Sequence, residues 1–353
     1  MWPVIGHQRA VELLSNSITQ GHVAHAYLFT GPPHVGKSTL ARAFAQALNC
    51  DREGDPCGQC RACRLIARDR HHDVQIVQVG VEAEGGIEEN DDSKPAKKPG
   101  ASIGIERVRA LQREAALAPY EARRKVYMIL EAEQMTAEAA NCLLKTLEEP
   151  PQRVVWILTT VDAGRLLPTV VSRCQQVPLS PLPVSLVRQT LVERWSAGEE
   201  EAEHLARLSR GCLGWAVNAL TNPKLLANRS AQLERMLAVV GGSRVQRFKL
   251  AERLAADFSG NQLGLLGALG LWLEWWRDLL LLKIGCHDMV TNVDYVDGLR
   301  VMAEQLTVDR IYTYTREIEA TMRHLESNAN VRLALEALML AMPSVSAHSA
   351  GRR

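Results

Sequence analysis

An excess of charge of either sign is missing from this chain. Lys and Arg number 41 against 40 Asp and Glu, so the formal net charge is +1. No global basic field advertises nucleic acid, and any contact with DNA has to be local or made through partners. Aromatic residues are scarce, at 5%. Ala and Leu dominate instead, which favours helices. The opening MWPVIGHQRAVELL lacks the basic stretch ahead of an apolar run that a secretory leader needs. Long uncharged hydrophobic runs are missing too. The most apolar stretch, LGALGLWLEWWRDLLLLKIG, contains Glu274, Arg277, Asp278 and Lys283. It reads as a buried amphipathic helix rather than a membrane span. A soluble cytoplasmic protein of two or three domains is the expectation for 353 residues.

What is present is punctuated. HAYLFT reads as a short buried strand over Ala26–Phe29, then GPPHVGKST turns the chain, and an Ala-rich helix runs to about Leu48. Further buried strands are expected in HHDVQIVQV, RKVYMIL and RVVWILTTV. IGIERVRALQREAAL spaces Val108, Leu111 and Ala115 along one helix face. TAEAANCLLKTLEEPP is a helix with Thr136 as its N-cap, stopped by Pro150 and Pro151. Wholly apolar strands alternating with helices imply a parallel sheet covered on both faces, an α/β fold. Residues 81–101 are polar and rich in charge, Gly and Pro, and are expected to form a mobile surface insert. After about residue 180 the pattern turns helical, and the tail 346–353 is small, polar and expected to fray.

Two motifs carry chemistry. Gly31-x4-Gly36-Lys37-Ser38-Thr39 fits a phosphate-binding loop, in its proper context between strand and helix. Its glycines let backbone N–H groups point at phosphate oxygens, Lys37 supplies charge and Ser38 can ligate magnesium. ATP with Mg²⁺ is therefore the expected ligand. Hydrolysis normally needs an apolar strand ending in an Asp that orients the metal. Here KVYMI is followed by Leu130, then Glu131, with Glu133 beyond. Glu131 is either a shifted catalytic acid or an ordinary residue of a surface turn, and Glu133 has the same two readings.

The second motif is Cys50-x6-Cys57-x2-Cys60-x2-Cys63, four of the eight cysteines within 14 positions. Four thiolates with Cys-x2-Cys turns suit a tetrahedral Zn²⁺, and four protein ligands leave no open position, so the role is structural. Redox chemistry is the competing reading. Arg173, in TVVSRCQQVPL, is by itself a lone arginine near a sheet edge.

Taken together, GPPHVGKST, the four-cysteine insert, NCLLKTLEEPP, WILTTV and SRC resemble the AAA+ subunits of bacterial DNA polymerase III clamp loaders. The resemblance runs from VIGHQRAVELLSNSI to NANVRLALEALML, almost the whole chain. It implies an AAA+ domain over 1–178 with a zinc module at 50–63, a helical lid over 179–222 and an all-α collar over 223–345. Counted back from Asn141, Leu130 stands where motor subunits carry the metal-orienting Asp, and Glu131 where they carry the catalytic Glu. Gly214 stands where a sensor arginine is expected. These departures imply a companion subunit that binds ATP weakly or not at all and does not hydrolyse it. Its partners would be gamma/tau and delta subunits in a hetero-pentamer, with the sliding clamp and primed DNA reached through the complex and no membrane involved.

The resemblance also makes Arg173 an arginine finger delivered in trans. It places Thr160 (or its neighbour Thr159) at a γ-phosphate, and Val4 and Ile5 at an adenine pocket or in plain core. Trp272, Trp275 and Trp276 are either an exposed collar interface or domain core. The alternatives are an active gamma/tau-type ATPase and a zinc-bearing AAA+ protein of another pathway.

Overall fold

A computed structural model describes residues 2–52, 54–79, 102–258, 262–326 and 330–345. The expected insert at 81–101 and the tail 346–353 lie outside the described residues. The chain divides into two compact units. The first takes in Met1–Pro183 and Cys212–Trp215, the second Val184–Gly211 and the residues from Ala216 onward.

In the first unit, α1 (Gln8–Thr19) precedes β1 (Ala26–Thr30), and the Gly-rich turn leads into α2 (Lys37–Asn49) and the short α3 (Arg61–Ala67). Then come β2 (Val74–Val77), α4 (Ile105–Ala115), β3 (Lys125–Ile129), α5 (Ala137–Glu148), β4 (Val154–Thr160), α6 (Pro168–Val171) and β5 (Gln175–Pro178). Among the described residues, five strands form one parallel sheet in the order β2-β3-β4-β1-β5. β3 and β4 are buried from end to end. That is what strands covered on both faces require.

Alternation along the strands builds two cores. Tyr27, Phe29, Met128, Val155 and Ile157 pack with Leu40 and Phe44 of α2. Leu28, Tyr127, Ile129, Trp156 and Leu158 pack with Val108 and Leu111 of α4 and Leu143 and Leu147 of α5. Phe44 meets Tyr27 edge-on at 4.8 Å, so its truncation to Ala would cost about 3–5 kcal/mol. Helix α5 starts as its sequence demands, with the Thr136 hydroxyl accepting from the Ala139 N–H at 3.2 Å. β5 is a strand that no apolar run announces: only Val177 of its four residues is buried.

The second unit is helical: α7 (Val184–Trp195), α8 (Glu199–Leu208), most of α9 (Leu213–Thr221), α10 (Pro223–Val240), α11 (Arg244–Phe258), α12 (Gln262–Lys283), α13 (Val296–Gln305), α14 (Val308–Glu326) and α15 (Val331–Ala341). Its core is one apolar cluster around α12. Trp272, Trp275 and Trp276 are all buried there. Trp275 meets Tyr295 edge-on and Trp276 meets Tyr314 edge-on. Of the two readings of these tryptophans, the core reading holds and the exposed interface does not. Because α12 is apolar around most of its circumference, its neighbours enclose it and the rings go inside.

Buried polar groups in this unit hold chain ends. Asp278, fully buried, accepts from the N–H of Thr291, the N–H of Asn292 and Asn292 Nδ2 at 3.0, 2.8 and 2.7 Å. Buried Arg247 donates to the carbonyls of Val239 and Val240 at the end of α10, and to those of Met339, Met342 and Pro343 at the end of α15. Its cation thus sits at two helix C-termini, where intrahelical donors for the last carbonyls run out.

Candidate nucleotide and metal sites

The phosphate-binding loop leaves β1 at the C-terminal end of the sheet. Gly31 has φ 145°, and a Cβ there would fall 2.3 Å from the carbonyl oxygen of Leu179. Gly36, with φ 114°, caps α2 without a side chain. The first turn of α2 therefore keeps its N–H groups free of side-chain caps, the arrangement an anion needs. Buried Lys37 folds back on its own loop, with Nζ donating to the carbonyls of Gly31 at 2.5 Å and Pro32 at 2.8 Å. Burial pulls its pKa below the ordinary lysine value, while Glu133, Cys212 and Glu131 act against that pull. Ser38 is half-buried and Thr39 exposed, so both remain within reach of a ligand on the loop.

Beyond β3, Leu130 is buried in the α2-side core. An alkyl group thus fills the position after β3 at which the resemblance expects a metal-orienting carboxylate. Glu131 follows in a left-handed conformation, φ 54°, with its side chain exposed and its N–H donated to the Thr159 hydroxyl at 3.0 Å. Glu133 turns inward: Oε1 accepts from the Val161 N–H at 3.3 Å, and Oε2 is buried without a partner. Of the two acids, Glu133 acts the more strongly on Lys37, which the spacing of the sequence did not suggest.

Thr159 and Thr160 end β4 on opposite faces. Thr160 shares the Trp156 and Leu158 side, and its hydroxyl donates to the Asp162 carbonyl at 3.0 Å. Thr159 shares the Val155 and Ile157 side, the side of α2 and the loop. The hydroxyl on the loop side is therefore that of Thr159, one residue before the expected Thr160. Gly214, where a sensor arginine was expected, donates its N–H to the His34 carbonyl of the loop at 3.0 Å. A Cβ at Gly214 would lie 2.8 Å from that oxygen, so a larger residue forces the loop or this segment to move.

The four cysteines converge. The Sγ atoms of Cys50, Cys57, Cys60 and Cys63 all lie within 4.8 Å of one another. Backbone N–H groups point at them: Cys57 N–H to Cys50 Sγ at 3.3 Å, Cys60 N–H to Cys57 Sγ at 3.2 Å and Cys63 N–H to Cys60 Sγ at 3.4 Å. The N–H groups of Cys60 and Gln59 lower the Cys57 thiol to about 6, while burial pushes Cys63 up. A tetrahedral Zn²⁺ with bonds of about 2.3 Å spaces its sulfurs by about 3.8 Å, so a small contraction of this cluster suits the ion. The module is anchored independently of any metal. Gly54 accepts from Trp2 Nε1 at 3.2 Å and the Ser15 hydroxyl at 3.1 Å, and Gln46 Nε2 donates to the Cys63 carbonyl at 2.8 Å.

Arg173 lies elsewhere. It precedes β5, and Gln175 of that strand pairs with Tyr27 near the start of β1, whereas the loop follows Thr30 at its end. At about 3.3 Å per residue, Arg173 is at least ~10 Å from the loop along the strand direction. It stands at the opposite end of the sheet, where Nη2 pairs with Glu148 at 2.7 Å and Nη1 donates to the Thr169 carbonyl at 3.0 Å.

Residues 6–183 match the family model described as DNA polymerase III, delta subunit, and residues 224–343 the one described as DNA polymerase III, delta subunit, C terminal. DNA polymerase III subunit delta' of Bacillus subtilis (strain 168) is 30% identical over 335 residues, which are 94% of this chain and 94% of that protein. The chain belongs to the delta-prime family of DNA polymerase III clamp-loader subunits. DNA polymerase III subunit tau of the same organism is 25% identical over 98% of this chain, but only 62% of its own length is covered. The crystal structure of a gamma subunit-related protein from Thermotoga maritima aligns with a TM-score of 0.40 and 19% identity, over 94% of this chain and 97% of that one. For this clamp-loader subunit the expected parallel α/β sheet followed by helices holds, and the reading as a protein of another pathway is set aside. Among the described residues no helix is long and apolar enough to cross a membrane.

Proposed function

We propose that this subunit is the non-hydrolysing companion in a hetero-pentamer with gamma/tau and delta subunits. That assembly opens the sliding clamp and places it on primed DNA in the cytoplasm. The observation that carries the proposal is the pairing of an intact loop, with Lys37 poised on it, and a buried Leu130 where the metal-orienting carboxylate belongs. The loop N–H groups, Lys37, Ser38 and Thr39 hold the phosphates. Without an acid at Leu130, magnesium is not fixed for in-line attack, so binding outlasts turnover.

Arg173 acts on a neighbour's nucleotide. Its place at the far end of the sheet from its own loop supports that reading, with Glu148 and the Thr169 carbonyl steadying the guanidinium. Arginine fingers contribute about 10³–10⁵ in rate in related phosphoryl transfers. Cys50, Cys57, Cys60 and Cys63 hold a structural Zn²⁺ that fixes the α2–α3 connection.

The second reading, an active gamma/tau-type ATPase, draws on the intact loop and on Glu131 and Glu133 beyond β3. Labelled-ATP binding and hydrolysis measured on the isolated chain separate the two. Binding with hydrolysis at background supports the companion role. Robust magnesium-dependent hydrolysis that disappears in Lys37→Ala overturns it. In the reconstituted complex, Arg173→Ala is expected to leave assembly intact and slow DNA-stimulated hydrolysis, and an unchanged rate removes the finger assignment.

A further inference from the structure

The role proposed above uses the four-cysteine module only as a piece of fold, yet its helix α3 presents a row of arginines on its outer side. Helix α3 turns Cys63 and Ile66 inward. Arg61, Arg64 and Arg68, spaced i, i+3 and i+7, therefore share the outward stripe, and all three are exposed. Arg70 and His72 are exposed in the segment that follows the turn at Asp69.

Beside it stands Tyr120, 83% exposed, its ring 6.0 Å from that of His72. The Tyr120 backbone is fixed while its ring is open. Buried Asp73 accepts from the N–H groups of Tyr120, Glu121 and Ala122 at 2.8, 2.8 and 2.9 Å. Glu121 pairs with Arg61 of the stripe itself at 3.2 Å, and Asp69 forms a two-bond pair with Arg42, which leaves Arg64, Arg68 and Arg70 as the open charges. Among the described residues no carboxylate is within ion-pair distance of Arg64, Arg68 or Arg70.

We propose that this face, Arg64, Arg68 and Arg70 with Tyr120 and with Arg61 at its edge, binds single-stranded DNA. Arg61 and Arg64 are about 4.5 Å apart along α3, with Arg68 at its C-cap, so their long side chains can reach successive phosphates of an extended strand. A fixed backbone presenting an open ring is a stacking platform for an unpaired base, which a duplex does not offer. Charge alone would suit an acidic peptide as well, but the exposed ring beside the arginines favours the strand with bases.

The test uses the full zinc-loaded chain and a fluorescein-labelled dT 20-mer, followed by anisotropy from 50 to 200 mM salt. The wild type is expected to bind with affinity falling at about 0.7 log units per log unit of salt for each phosphate engaged. Arg64→Glu with Arg68→Glu should weaken binding at least tenfold and flatten the salt slope. Tyr120→Ala should weaken it about fivefold or more and leave the slope unchanged. Zinc content and thermal unfolding verify that each variant is folded. No binding by the wild type, or unchanged binding by either surface variant, overturns the proposal. Equal or tighter binding of a duplex or of a poly-Glu peptide overturns it as well, since both would make the face a general polyanion surface.

Discussion

Lys37 in the sheet unit and Arg247 in the helical unit are both buried cations that donate to backbone carbonyls. Burial pulls both below their ordinary pKa values. Lys37 reaches two carbonyls of a loop whose glycines and following helix start are shaped for an anion. It can exchange them for phosphate oxygens without leaving a buried charge bare. Arg247 reaches carbonyls at two helix ends and holds α10 and α15 to α11. The Val239 carbonyl also accepts from the Gly242 N–H at 3.1 Å, and the carbonyls that Arg247 reaches lie at helix ends where intrahelical donors run out. A buried cation is thus a ligand-binding group or a structural clamp according to whether its present partners can do without it.

The largest expected effect lies in the cysteine module. Cys63→Ser should abolish zinc retention and cost more than about 4 kcal/mol. Metal analysis with denaturant unfolding checks this, and an unchanged midpoint would show that the anchors through Gly54 and Gln46 suffice. Arg247→Ala comes next, at about 3 kcal/mol, since it strands several carbonyls at once. Loss of helical circular dichroism in urea should report it.

Asp73→Asn is expected to cost about 1–3 kcal/mol. Burial works against the Asp73 charge, but its three N–H donors outweigh that and hold the carboxyl below its usual range. Its contribution is therefore complete above the unfolded value of about 3.9 and is lost as pH falls below it. Wild type and variant should accordingly converge in stability in acid. The smallest stability effect belongs to Lys37→Ala, within about 1 kcal/mol, accompanied by loss of nucleotide affinity in a titration. A stability loss as large as that of Arg247→Ala would make Lys37 a clamp and erase the contrast.

The sheet unit was largely legible because its strands are apolar throughout and its turns carry Gly, Pro or a capping Thr. β5 was not, since Gln175, Gln176 and Pro178 put little apolar surface into the chain and the strand exists by pairing with β1 at an edge. The choice between Thr159 and Thr160 depends on strand parity against α2, which one-residue reasoning cannot fix. The burial of Trp275 and Trp276 was undecidable in a helix apolar around most of its surface. Nothing in VQRFKLAERL marks Arg247 as a clamp.

Local chemistry settled by itself where the phosphate loop, the four thiolates and the strand–helix alternation lie, because turns, metal ligands and helix caps act over a few residues. The same local reading put an alkyl group, Leu130, where the resemblance expects a metal-orienting carboxylate. Tertiary structure alone decided which groups meet across long separations: Glu133 and Gly214 at the loop, Arg173 at the far end of the sheet, Arg247 between two helix ends. Those outcomes depend on register, helix packing and the search of buried polar groups for partners, and none of these is encoded within a single stretch of chain.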